Sequence, residues 1–170
     1  MQSVVNHNRD LGDRFIHWLD SRRFTPILLL MSFMIGMLWV SHLSLPLISD
    51  MVSYDLWAQS VLDRGHLPVS AYRPPLYPYF VGMIYRMAGY EPQTVYYVQV
   101  VLNLGIIAQI ERLGREVLDR RTGQLAALLY SVTLTPYILS SGLLTEILFT
   151  LLLLGGIYLT IRAAKVGWLP

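Results

Sequence analysis

Cysteine is missing from this chain altogether. That excludes disulfides and thiolate-held metal sites and leaves the redox compartment open. Charge is the next scarcity: 14% of the 170 residues are charged against 54% apolar, where a soluble domain carries roughly a quarter charged. With a mean hydropathy of +0.47, this balance excludes an ordinary soluble domain and points to the membrane. The four histidines form no metal pair; His7 and His17 fall in the polar start, His42 in a hydrophobic run, and His66 alone after a glycine. Internal repeats and low-complexity tracts are lacking. So are matched broken helices and paired midplane charges, which leaves a small transporter as the weakest reading.

What the chain has instead is long uncharged runs. Phe24–Ser49 covers 26 residues, Pro92–Ile110 covers 19 and Thr122–Thr145 covers 24, and a spanning helix needs about 20. Past Glu146 the apolar character resumes to Ile161, and a hairpin near Pro136–Gly142 divides the region. The expectation is an all-α membrane protein with four transmembrane helices, over residues 24–48, 93–113, 122–140 and 143–162. Residues 1–23 are then a cytoplasmic segment with an amphipathic patch (Leu11, Phe15, Trp18, Leu19), and 163–170 a cytoplasmic end.

Basic residues set the orientation. Arg9, Arg14, Arg22, Arg23, Arg112, Arg115, Arg120, Arg121, Arg162 and Lys165 fall on one side, and Arg64, Arg73 and Arg86 on the other, ten against three. The N-terminus is expected inside, and the pI near 9.0 is topology rather than nucleic-acid binding. Within the spans, Glu111 and Arg115 form an i,i+4 pair, Asn103 and Gln109 are expected to bond between helices, and Pro136 to kink the third span.

Residues 49–92 form the outer loop, with interfacial helices expected over 51–64 and 75–88. Tyr54, Trp57, Ala58, Val61 and Leu62 share one face of the first; Asp55, Gln59 and Asp63, spaced by four, read as its solvated face. Gly65 and Pro68 stop it, and Pro74–Pro75 start the second. Tyr72, Tyr77 and Tyr79 read as interfacial anchors, with sugar stacking as a second role.

The same topology puts Asp50 and Glu146 on one face. Two carboxylates there can hold a divalent cation such as Mg or Mn, or divide into a general base and a group that tunes it. Simpler roles stand beside these: Asp50 as a helix N-cap, and Glu146 as an acid near a helix start, although an ionisable side chain within a span is costly and commonly functional. Arg73 precedes Pro74, which holds it extended; its guanidinium suits a phosphate, or snorkels to lipid headgroups.

The order of features (Asp50, Tyr54 and Ala58 after an anchor helix, then Arg-Pro-Pro-Leu-Tyr-Pro at 73–78, an arginine-rich turn, and Leu-Thr-Glu-Ile-Leu-Phe at 144–149) resembles polytopic glycosyltransferases of the GT-C superfamily. The protein mannosyltransferase and aminoarabinose transferase branch is the most similar. The resemblance covers about residues 24–165. It implies transfer of a sugar, with inversion, from a polyprenyl-phosphate donor to an acceptor on the outer face of a bacterial inner membrane. Asp50 then matches the general base or metal-proximal acid, Glu146 the acid opening the fourth span, and Arg73 the contact to donor phosphate; Tyr54 and Tyr72 complete the substrate-binding set. Such enzymes carry more spans, so the expectation is an N-terminal portion or a naturally short product, inactive alone. The alternative is a non-catalytic membrane subunit or assembly partner that retains the scaffold.

Overall fold

The computed structural model describes residues 18–19, 21–43, 45–69 and 72–167. Leu11 and Phe15 lie outside them. Trp18 and Leu19 are described: Leu19 is buried and the Trp18 ring meets Phe24 edge-on at 4.7 Å.

Among the described residues seven helices follow in order: α1 Phe24–His42, α2 Asp50–Arg64, α3 Leu76–Ala88, α4 Pro92–Val117, α5 Arg120–Val132, α6 Thr135–Ser140 and α7 Glu146–Lys165. No strand occurs among the described residues. The chain is an all-α integral membrane protein, but the expected four spanning helices are corrected to three among the described residues: α1, α4 and α7 are long and apolar enough to cross a membrane. The stretch 122–140 fails because its helix breaks. A proline at position 136 has no N–H to donate to the carbonyl of residue 132, and α5 ends at Val132. Side chains add to the bonds at the break: Thr133 Oγ1 donates to Tyr130 O at 2.7 Å, beside its own backbone N–H, and the Tyr137 hydroxyl to Ser131 O at 2.6 Å. Pro136 then sits in the first turn of α6, where its missing donor costs nothing.

The broken α5–α6 pair still carries the chain from one end of the bundle to the other. At one end Thr25 bonds Glu111 at 2.7 Å, Arg120 reaches Ser21 O, and Lys165 meets Glu116 at 3.0 Å. At the other, Gln93 donates to Val40 O and Leu45 N to Ser141 O at 2.8 Å. The first end gathers Arg22, Arg23, Arg112, Arg115, Arg120, Arg121, Arg162 and Lys165; the second carries the 141–145 turn and the α2–α3 pair. The expected Glu111–Arg115 pair is present at 2.7 Å, and Asn103 accepts from Tyr130 as an interhelical bond.

Two close approaches set the packing. A Cβ on Gly114 would stand 2.4 Å from Gly123 Cα, so α4 and α5 cross with backbone against backbone. A Cβ on Gly82 would stand 2.8 Å from Val61 side-chain atoms, which seats α3 on α2. The main core lies between these layers, and includes Val40, Tyr54, Trp57, Tyr77, Tyr85, Tyr96 and Leu143.

Candidate active site

Helix α2 begins at Asp50, so Asp50 is its first residue and not the N-cap the sequence allowed. The cap position is Ser49, whose φ of 49° is left-handed and which makes no side-chain cap bond. Freed from capping, the Asp50 carboxylate turns to Arg73, which donates Nη1 to Oδ2 at 2.9 Å and Nη2 to Oδ1 at 2.5 Å. Both rings expected at the substrate flank that cation: the guanidinium lies 5.7 Å from the Tyr54 centroid and 5.3 Å from that of Tyr72. Tyr54 is buried and Tyr72 is 74% exposed, so the guanidinium is held between a core ring and a surface ring. Contact with the Tyr72 hydroxyl leads the causes that raise the Arg73 pKa above its ordinary value. Partial burial opposes, and Tyr54 and the Asp50 charge add to the rise. Arg73 stays cationic at every accessible pH.

Beside this pair, Pro74, Tyr54 and Tyr77 form one wall of a groove of about 180 Å³, with Thr145, Leu148 and Phe149 opposite. Glu146 follows Thr145 directly. It begins α7 and is exposed, one turn further out than a place inside the span, so the acid at a helix start fits as the dipole favours. Its hydrogen bond is to the neighbouring Thr145 hydroxyl at 3.4 Å.

The segments that carry Asp50 and Glu146 meet. A Cβ on Gly142 would lie 2.8 Å from Met51 Cε, and Leu45 anchors Ser141. No hydrogen bond joins the two carboxylates. Both Asp50 oxygens are engaged by Arg73. Among the described residues no three His, Asp, Glu or Cys side chains gather at a metal-binding distance.

Several further residues hold the site and escaped the sequence reading. Gln99, fully buried in α4, accepts from the Tyr77 hydroxyl at 2.8 Å and donates to Gly142 O at 2.7 Å and Ser140 O at 3.2 Å. One amide thus ties the proline turn to the loop before Glu146. Tyr77, read as an interfacial anchor, is 3% exposed; burial first, then neighbouring charges, raises its phenol pKa. Asp55, read as solvated, is 5% exposed. It accepts from Tyr85 at 2.6 Å, Gln59 at 2.7 Å and Tyr90 at 2.8 Å. Burial, then the bond to Asp55, pushes the Tyr85 and Tyr90 phenols above their ordinary values, so both remain donors. Trp57 packs edge-on against Tyr72 at 5.3 Å and against Tyr54 at 6.2 Å, completing an aromatic wall around Arg73. The signal for Gln99 was present in the sequence, as a long polar side chain inside an apolar run with no partner on its own helix.

The apolar helices and a match to a family model together give the class, a GT-C type membrane glycosyltransferase. A family model described as dolichyl-phosphate-mannose-protein mannosyltransferase matches residues 72–169, more than half of the chain, and the protein belongs to that family. Arg73, Tyr72, Tyr77 and Glu146 lie inside the matched stretch, whereas Asp50 and Tyr54 precede it. No curated protein and no solved structure matches the chain.

Proposed function

We propose that this site transfers a sugar from a polyprenyl-phosphate donor to an acceptor hydroxyl on the outer face of a bacterial inner membrane, with inversion. The observation that carries the reading is the Asp50–Arg73 pair, which Tyr54 and Pro74 join to the wall of an apolar groove. Arg73, framed by Tyr54 and Tyr72, receives the donor phosphate. The prenyl chain runs down the groove and on along α7, where Leu152 joins it to a second apolar recess of about 460 Å³ beside Gly156 and Ile157. Asp50 takes the proton from the acceptor hydroxyl as its oxygen lone pair forms the new bond to the anomeric carbon. The carbon–oxygen bond to phosphate breaks with its electron pair, and polyprenyl phosphate departs with its charge held by Arg73. Attack opposite the leaving phosphate inverts the anomeric centre. Glu146, next to Thr145 of the groove wall, hydrogen-bonds sugar hydroxyls in this reading. The excess of basic residues at the opposite end supports that end being cytoplasmic.

The test is sugar transfer in proteoliposomes. Asp50→Asn should lower turnover at least about a hundredfold, the scale of a lost general base, while membrane insertion stays intact; equal turnover removes Asp50 from the chemistry. Arg73→Ala should raise the donor KM about tenfold or more, and an unchanged donor KM and turnover would remove it from the phosphate site.

A further inference from the structure

Arg73 has two claimants. Both of its terminal nitrogens are committed to Asp50, while its buried Nε has no hydrogen-bond partner. A carboxylate held by both oxygens in a guanidinium fork has its charge and one lone pair on each oxygen taken up by the cation. A guanidinium so held has two of its five N–H donors turned away from phosphate and its charge already countered by Asp50. The two residues that transfer requires thus neutralise each other in this state.

We infer that the Asp50–Arg73 pair is a resting latch, which a lipid-linked phosphate opens by taking the guanidinium and so unmasking Asp50 as a base; this rests on the function proposed above. The exchange is one anion for another at a single cation. Side-chain exposures of 27% for Arg73 and 47% for Asp50 leave the pair partly solvated, and ion pairs of that kind are worth little on balance. A phosphate of equal or greater charge can therefore replace the carboxylate. The rings of Tyr54 and Tyr72 hold the guanidinium during the swap, so the carboxylate is the partner that moves. Its helix start is suited to that movement: Ser49 is strained at φ 49° and no side chain caps the turn. Once released, Asp50 keeps the favourable field of the α2 N-terminus. Donor binding thus precedes activation of the acceptor, and a site without donor presents no free base to water or lipid hydroxyls.

The experiment is a titration of the full-length protein in detergent micelles with a short-chain polyprenyl phosphate, read by tryptophan fluorescence, since Trp57 packs on Tyr72. Asp50→Asn removes the competitor and should tighten binding about two- to fivefold, the worth of such an ion pair. Unchanged or weaker binding overturns the latch. An equal gain for phosphatidic acid overturns its assignment to the donor phosphate. Tighter binding with undiminished sugar transfer sinks the base role of Asp50 and leaves the exchange standing; lost transfer with weaker binding sinks the latch alone. Should the Asn variant fail to fold, Asp50→Ser removes the same charge with a side chain suited to a helix start, and is read in the same way.

Discussion

Asp55 carries a buried carboxylate with three donors on it, and its surroundings come from three places in the chain: Gln59 on its own helix, Tyr85 on α3 and Tyr90 in the turn to α4. Hydrogen bonds to a charged group are worth about 1.5–3 kcal/mol each. Gln59 and Tyr90 can turn to water when the acid is lost, but the buried Tyr85 hydroxyl cannot. Asp55→Ala should therefore cost about 3 kcal/mol of stability, measured by thermal or denaturant unfolding in detergent. The Asp55→Ala, Tyr85→Phe double variant should cost less than the sum of the two single changes; strict additivity would show that the two side chains do not act together. In the sequence Asp55 was legible only as one of three polar residues spaced by four. Helical periodicity identifies a polar face, but whether that face meets water depends on what another helix brings to it.

At the scale of the element, the α4–α5 crossing and the break after Val132 matter most. Gly114→Ala would drive a methyl to 2.4 Å from Gly123 Cα and 2.9 Å from Gly123 N. Both contacts are backbone atoms that cannot rotate away, so the helices must separate, at a cost of about 1–3 kcal/mol. Gly105→Ala is the control, since its methyl meets only Leu151 Cδ1, at 2.9 Å, the far end of a flexible side chain. The melting temperature should fall clearly for the first variant and little for the second; equal losses would mean that the crossing is not backbone-limited. The proline at 136 was visible in the sequence as a kink. That it ends one helix and starts another depends on Thr133 and Tyr137 being placed to add bonds at the break, which composition does not reveal. The polarity of the α4 C-terminus, by contrast, was readable, because an i,i+4 pair such as Glu111–Arg115 is local.

At the scale of the molecule, topology is the central claim. Natural cysteine is absent, so single introduced cysteines report on a clean background. Val69→Cys, in the fully exposed loop after α2, should react with a membrane-impermeant thiol reagent added outside intact cells. Val117→Cys, exposed at the end of α4, should react only after permeabilisation. The reverse pattern would invert the protein and place the candidate site in the cytoplasm.

Composition, run length and the distribution of arginines were enough to determine an all-helical membrane protein, its basic end, the two short helices of the loop, and the convergence of the Asp50 and Glu146 segments. These are properties of hydropathy and of short-range spacing, which a chain carries in its order alone. Only the tertiary structure decided that three helices rather than four are continuous, that Asp50 is held by Arg73 instead of capping α2, and that Gln99 and Asp55 are buried keystones. Each of those depends on groups far apart in sequence satisfying one another's hydrogen bonds and charges, and such pairings exist only once the helices have packed.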